Sequence, residues 1–191
     1  MTAIRRCTSP LTVNDLVVRA LIKSGADVNT AKDNGRTPLF MAAQEGHDAL
    51  VRALIEAGAD FNKATDDIGA IPLFMAAHNG HEAVVRTLIE AGADLNKARD
   101  MGTTPLCTAA CFCHEAVVRM LIEAGADINT ANKDGVTPLI IATQRVHEAV
   151  VRALIEAGAD FNKATKEGET PLAASTTFEI GQILRDAGAV L

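Results

Sequence analysis

The sequence contains neither tryptophan nor tyrosine, and aromatic residues make up only 3% of its 191 residues. Apolar residues nevertheless account for 48% of the chain, so the core must be built from Leu, Ile, Val and Ala. These small and branched side chains suit closely stacked helices. A fold that depends on large aromatic rings in its core is therefore excluded.

Long apolar runs are missing as well. No run approaches the roughly 20 residues that a membrane-spanning helix needs, and residues 1–10 lack the apolar segment of a secretory signal. Three of the four cysteines are grouped at Cys107, Cys111 and Cys113, which is not the pattern of a disulfide framework. We expect a cytoplasmic protein with reduced thiols and no membrane partner.

Positive charge is in the minority. The chain has 18 Lys and Arg residues against 24 Asp and Glu residues, which gives a formal net charge of −6. Binding to a nucleic-acid backbone requires a clustered positive face. We therefore expect no nucleic-acid partner.

A repeat of 33 or 34 residues is the main pattern that is present. A fixed period in this range is typical of a repeat architecture in which each unit packs on its neighbours. The period is carried by prolines at 38, 72, 105, 138 and 171 and by glycines at 25, 58, 92, 125 and 158.

One repeat unit reads as two helices. Thr37 and Pro38 predict the N-cap and first residue of an inner helix, and Gly46 predicts its end. A second, outer helix is predicted from His47 to a stop at Gly58. Between them, the small pair Ala42-Ala43 would let neighbouring units approach closely.

The repeat divides the chain into a single domain of six modules. Pro10 cannot lie inside a regular inner helix, so the first module is predicted to keep only an outer helix, capped by Asn14. The last module lacks three residues, which predicts a shortened inner helix and a polar outer helix. The predicted modules are an N-terminal capping half-repeat at 1–32, full repeats at 33–65, 66–99, 100–132 and 133–165, and a truncated C-terminal capping repeat at 166–191.

Several positions depart from the pattern. Ile71 replaces the N-cap threonine, and the turn near Asp66 has one extra residue. Cys113 and Val146 stand where Gly46 stands in the first full module. Because residues other than glycine are strained at positive φ, we expect a shifted or tighter helix junction in these two modules.

The motif Gly-x-Thr-Pro-Leu-x-x-Ala-Ala-x-x-Gly-His, followed by Gly-Ala-Asp-x-Asn, resembles the ankyrin repeat. The resemblance covers essentially the whole chain. It implies an all-α repeat fold, an α-solenoid of helix-turn-helix units joined by β-turn fingers, with a concave face of fingers and inner helices. Departures from the family pattern put the usual turn hydrogen bonds in doubt, because the finger aspartate is replaced by Lys32, Arg99, Asn132 or Thr165.

Two groups of side chains could carry chemistry. Cys107, Cys111, Cys113 and His114 include the ligand types of zinc, but their spacing is not the usual paired one and small buried residues explain the cysteines better. The histidines at 47, 81, 114 and 147 recur with the repeat, which favours a structural role at the helix start over a proton relay. We expect no cofactor, no metal site and no catalytic site.

The outer helices carry acid and arginine residues four positions apart. Each exposed pair contributes only about 0.3–0.5 kcal/mol, so these residues indicate a solvated convex face. The predicted pairs are Asp48 with Arg52, Glu82 with Arg86, Glu115 with Arg119, and Glu148 with Arg152.

Positions that differ between modules are the candidate binding site, since shared positions hold the stack together. Phe112, Met101, Ile68 and Val136 would form its apolar middle within a polar rim. For Phe112 an alternative stays open, in which it only packs between helices. The predicted site residues are Asp33, Asn34, Arg36, Gln44, Glu45, Asp67, Ile68, His78, Asn79, Met101, Thr103, Cys111, Phe112, Lys133, Val136, Gln144 and Arg145.

The resemblance implies a non-catalytic interaction scaffold that binds a partner polypeptide through its concave face and finger tips, and we expect it to be a monomer. Two alternatives stay open: an assembly or spacer unit of a longer array, and a designed or consensus-like scaffold. The second is raised by residues 51–65, which recur unchanged as residues 151–165.

Overall fold

The computed structural model describes residues 13–190. Within this range the secondary structure is helical, with no strand, which confirms the predicted all-α repeat. The helices are α1 (Val13–Lys23), α2 (Pro38–Glu45), α3 (Asp48–Glu56), α4 (Pro72–His78), α5 (Glu82–Glu90), α6 (Pro105–Cys111), α7 (Glu115–Glu123), α8 (Pro138–Gln144), α9 (Glu148–Glu156) and α10 (Phe178–Asp186).

The inner helices α2, α4, α6 and α8 begin as the sequence predicts. Thr37, Thr104 and Thr137 each accept a hydrogen bond on Oγ1 from the backbone amide three residues later, at 3.2 Å. Proline follows as the first helical residue in all four. Ile71 caps α4 without a side-chain bond and is fully buried instead, so apolar packing takes the place of the cap there.

Inner helices pack on one another along the array, as do the outer helices, and each inner helix packs on the outer helix of its own module. Small residues lie where the inner helices meet: Ala43, Ala77 and Ala110 have no exposed surface. Leucines fill the space around them, and Leu106 is likewise fully buried. The core is therefore one continuous apolar strip shared between neighbouring modules.

The junctions after α6 and α8 correct one prediction. Cys113 has φ of +61° and Val146 has φ of +60°, close to the +77° of Gly46, so these junctions are neither shifted nor tightened. The next residue makes the same bond in each case, since the amide of His147 donates to the carbonyl of Ala142 at 2.9 Å as His47 does to Ala42 at 3.0 Å. Retaining the junction places the left-handed strain on Cys113 and Val146, at a cost of about 1–2 kcal/mol each.

Val146→Gly should therefore raise the free energy of unfolding by about 1 kcal/mol, because glycine adopts positive φ without steric strain. Urea denaturation of both proteins measures the difference. Ala149→Gly, an exposed position inside α9, is the matched control and should lower stability by about 1 kcal/mol. If Val146→Gly lowered the free energy of unfolding as much as Ala149→Gly does, Val146 would not be strained.

The turns between modules, here called fingers, are residues 32–36, 65–70, 99–103, 132–136 and 165–169. Their backbone bonds are kept despite the missing aspartates; for example, the amide of Gly102 donates to the carbonyl of Arg99 at 2.7 Å. Asn132 and Thr165 also accept a side-chain bond inside the turn. Each finger after the first donates one amide to a carbonyl of the preceding finger, at 3.0–3.1 Å, so the fingers form a connected row.

The finger with the extra residue keeps its place in this row. Thr65 closes the turn by donating its amide to the carbonyl of Ala70, one residue farther along than in the other fingers. The amide of Asp100 still donates to the carbonyl of Ile68 at 3.1 Å. The insertion is therefore absorbed within the turn.

A second row of bonds follows the Gly-Ala-Asp-x-Asn motif. The Asn29 carboxamide oxygen accepts a hydrogen bond from the backbone amide of Asp60 at 2.8 Å. In the next module the Asn62 carboxamide oxygen accepts the same bond from the amide of Asp94 at 2.9 Å. It recurs again at Asn96, Asn129 and Asn162. The motif therefore links modules, a role that the sequence interpretation did not assign to it.

Both ends of the array differ from the middle. Helix α1 begins at Val13, so Asn14 lies inside it and is not its cap. The predicted loss of the first inner helix, including Pro10, falls on residues outside the described range. At the other end, residues 171–174 form only a turn, and α10 exposes Gln182 and Arg185 as predicted.

The outer helices contain three of the four predicted ion pairs. Arg52, Arg119 and Arg152 each contact the acid four residues earlier, at 2.8–3.0 Å. The predicted ion pair of Glu82 with Arg86 is wrong, because the Arg86 guanidinium instead lies 3.9 Å from the sulfur of Met120.

The two identical segments 51–65 and 151–165 adopt the same structure. In both, the helix ends at a glycine with φ of +88°. In both, the alanine after that glycine donates its amide to the leucine five residues earlier at 2.9 Å. The aspartate after that alanine donates to an asparagine of the preceding module, at 2.8 and 2.9 Å. Identical sequence therefore makes the same helix-end and asparagine bonds at two places in the array, although the turn at Thr65 is one residue longer than the turn at Thr165.

Candidate functional site

The repeated histidines link neighbouring modules. His81 Nε2 lies 2.9 Å from the carbonyl oxygen of Gln44, and His114 Nε2 lies 2.9 Å from that of His78. His147 makes the same contact with Cys111 at 3.0 Å. The structural role is correct, but the ring satisfies a carbonyl at the end of the preceding inner helix rather than capping its own helix.

An open pocket of about 400 Å³ lies between the fingers and the inner helices in the middle of the array. Its volume is within the range of about 300–1,000 Å³ that is usual for ligand pockets. Six of the predicted site residues line it: Ile68, His78, Thr103, Cys111, Phe112 and Val136. Seven further residues that were not predicted line it as well: Phe74, Met75, Arg99, Cys107, Thr108, Asn132 and Ile141.

Phe112 forms one wall of this pocket. Its side chain is 49% exposed, so it is not simply packed between helices. Its ring nevertheless contacts His78 of the preceding module, edge to face, with 4.3 Å between the ring centroids. The contact fixes the position of the ring, while the exposed half remains open to a ligand.

His78 lies under this ring and shares a hydrogen bond between its Nδ1 and the Thr108 hydroxyl at 3.3 Å. Burial lowers the pKa of His78 below its usual 6.5, and the nearby His114 and Arg99 lower it further. A histidine with a pKa below 6.5 is mostly neutral at pH 7. The ring therefore contributes little positive charge to the pocket.

Phe112→Ala should raise the pKa of His78 towards 6.5, because it removes the ring that covers the imidazole. Titration of the histidine ring protons by NMR measures this pKa. The unmodified chain, titrated under the same conditions, is the control. An unchanged His78 pKa would mean that Phe112 does not desolvate it.

Arg99 supplies the positive charge of the pocket. Its guanidinium lies over the Phe74 ring, with 5.5 Å between Cζ and the ring centroid. Its Nε is buried and has no hydrogen-bond partner among the described residues. A buried donor without an acceptor is costly, so this atom is a place where a ligand could contribute one.

The cysteines of the pocket are free thiols, and Cys107 is buried. Burial raises the pKa of Cys107 to about 12, and Cys111 raises it while Arg99 lowers it. The thiol is therefore protonated at pH 7, whereas zinc requires a thiolate. Among residues 13–190, no group of three His, Cys, Asp or Glu side chains is placed to hold a metal ion.

Other predicted site residues lie along the same surface outside the pocket. Met101 is 52% exposed at a finger tip, and Lys133 and Arg145 are exposed. Asp33 and Glu45 are exposed and Asn34 is half-buried, at the N-terminal end of this surface. We call the exposed residues of the fingers and inner helices the finger surface.

Four predicted residues are engaged with the protein itself. Arg36 contacts Asp67 at 3.0 Å, and a hydrogen bond from Thr65, followed by Arg36, lowers the pKa of the Asp67 carboxyl. Gln144 donates to Glu169 at 2.8 Å. Asn79 donates to the carbonyl of Gln44 at 3.0 Å, so it joins two modules and is a weaker candidate than its variation between modules indicated.

The pocket floor was missed because one variable position was overlooked. The residue three after the helix-starting proline is Met41, Met75, Thr108 or Ile141, and the last three of these line the pocket. This position varies between modules as much as the predicted ones do. Arg99 was noticed only as a replacement for a finger aspartate.

Comparison with known families supports the interpretation of the repeated motif as an ankyrin repeat. The family described as ankyrin repeats (3 copies) matches residues 11–65, 63–132 and 125–189. No curated protein matches the chain. None of the helices between residues 13 and 190 is long and apolar enough to cross a membrane.

Proposed function

Because the chain belongs to the ankyrin repeat family, whose members generally mediate protein–protein interactions, we propose that it binds a partner polypeptide along its finger surface. The family is typically non-catalytic, and we propose the same for this chain. The observation that carries the proposal is the open pocket beside Phe112. A half-exposed aromatic ring beside a pocket of polar and apolar residues is what an interaction hot spot requires.

The test compares two double variants as bait in quantitative affinity capture. Phe112→Ala with Met101→Ala removes exposed apolar surface from the finger side. Ile89→Ala with Met120→Ala removes partly buried apolar surface from the outer helices and is the control. Specific partners should fall by about tenfold or more with the first variant and remain with the second.

Equal capture by the unmodified chain and the finger-surface variant would place binding elsewhere on the molecule. Loss of capture with both variants would point to unfolding, and circular dichroism would identify that case. We further propose that the chain acts as a monomer in the cytoplasm. Three free thiols at Cys107, Cys111 and Cys113 support a reducing compartment.

A second candidate function is assembly through the ends of the array. Helix α1 exposes Val17 and Leu21, and the opposite end exposes Phe178 and Val190, each by more than half of its surface. Exposed apolar residues at both ends favour end-to-end contact. Sedimentation at high protein concentration tests it: association that is abolished by Leu21→Glu supports assembly, and a strict monomer excludes it.

A further inference from the structure

The central pocket combines an apolar lining with the Arg99 guanidinium, which pairs with no carboxylate within residues 13–190. We propose that it selects a polypeptide segment in which an Asp or Glu lies within two residues of a large apolar side chain, preferably an aromatic one. This inference rests on the proposed function and specifies the chemistry of the partner.

The apolar part of the segment is argued from the lining. Phe112 and Met75 present partly exposed apolar surface, and Ile68, Val136 and Ile141 contribute branched side chains from two modules. The volume of about 400 Å³ exceeds that of any single side chain. An aromatic ring would add an edge or face contact with Phe112 and a sulfur contact with Met75, beyond the burial of apolar area.

The acidic part is argued from a comparison within the chain. Arg36 lies over Phe40, with 5.6 Å between Cζ and the ring centroid, much as Arg99 lies over Phe74 at 5.5 Å. Arg36 contacts a carboxylate, that of Asp67, at 3.0 Å. Between residues 13 and 190, Arg99 forms no ion pair with any Asp or Glu. The pocket therefore lacks the carboxylate that the parallel arrangement contains.

The neighbouring groups leave this charge uncompensated. His78 is mostly neutral at pH 7, and the Cys107 thiol stays protonated. The side chain of Asp100, the residue next to Arg99, lies against Gly69 of the preceding finger. A partner carboxylate would pair with the guanidinium in a partly desolvated setting, where charge-assisted hydrogen bonds are stronger than in water.

The experiment begins with a display library of random 12-residue peptides selected on the full chain. Selected peptides are synthesised in pairs, one with its Asp or Glu and one with Asn or Gln in its place. We expect enrichment of an acidic residue within two positions of Phe, Trp, Tyr, Leu or Met. Titration should show about tenfold weaker binding of the acidic peptide to Arg99→Gln, and at most about a twofold change for its amide counterpart.

Two further variants make the readout specific. Arg99→Lys keeps the charge without the planar guanidinium and should give an intermediate loss. Arg86→Gln removes an exposed arginine of the outer helix α5, away from the finger surface and the pocket lining, and should leave binding unchanged. Thermal unfolding of each variant confirms that it is folded.

The failure of this inference differs from the failure of the proposed function. If selected peptides lose binding with Phe112→Ala but show no acidic enrichment and ignore Arg99→Gln, the acidic assignment is overturned and the proposed function stands. If no peptide is enriched, or if enriched peptides bind Phe112→Ala as well as the unmodified chain, both are overturned.

Discussion

Leu106→Ala should lower the free energy of unfolding by about 2–5 kcal/mol, the range expected when a large buried aliphatic side chain is cut back to a methyl group. Leu106 has no exposed surface and belongs to the continuous core. It lies on α6, which packs on both α4 and α8, so the cavity would weaken two module interfaces at once. Urea denaturation followed by circular dichroism measures the loss.

The matched control is Leu21→Ala. Leu21 is 51% exposed on α1, and removing the same atoms there should change stability by less than about 1 kcal/mol. If both substitutions lowered the free energy of unfolding equally, and its slope against urea concentration stayed unchanged, Leu106 would not have the buried position described.

Ala77→Leu should destabilise the array by about 1–3 kcal/mol or more, through overpacking. Ala77 has no exposed surface and lies on α4, between the inner helices α2 and α6 that pack on either side. Three added heavy-atom positions have no free volume to occupy, so one neighbouring helix must move outward. Thermal and urea unfolding both report the effect.

Ala83→Leu is the control for this substitution. Ala83 is exposed in α5, where both residues are good helix formers, so stability should change by only a few tenths of a kcal/mol. Two results together would contradict the close packing of α4. The Ala77→Leu protein would be as stable as the unmodified chain, and its inner-helix NMR signals would shift only at the ends of the array.

The stacking of the modules could be predicted because its determinants are local and repeated. Thr37, Pro38 and Gly46 specify a helix start and stop through their own backbone chemistry, whatever lies around them. The small pair Ala42-Ala43 and the leucines recur at fixed spacing, which identifies the buried side of each helix. The shortened last module followed from counting residues between Pro171 and Gly188.

The junctions at Cys113 and Val146 could not be predicted from these rules alone. Local preference argued against positive φ, but the backbone bond after each junction and the contact of His147 with Cys111 hold the geometry. Cooperative contacts along the array outweigh a local strain of about 1–2 kcal/mol. One residue at odds with its conformation is tolerated when its neighbours specify the fold.

The pocket was only half predicted for a related reason. Phe112, Ile68 and Val136 were found because they vary between modules and are apolar. The proximity of Arg99 to Phe74 and the lack of an acid beside Arg99 among the described residues depend on side chains far apart in the sequence, whose distances a sequence does not state. The engagement of Asn79 with Gln44 was hidden in the same way.

The identical segments 51–65 and 151–165 bear on how such a gene can change in length. Because both copies make the same helix-end bond and the same bond to an asparagine of the preceding module, unequal exchange between them would remove residues 66–165 and join two ends that match in sequence and in these bonds. A shortened array of this kind would lose the central pocket, while its new junction would repeat one that already folds. A change in copy number of this kind would therefore change the binding surface together with the length of the array.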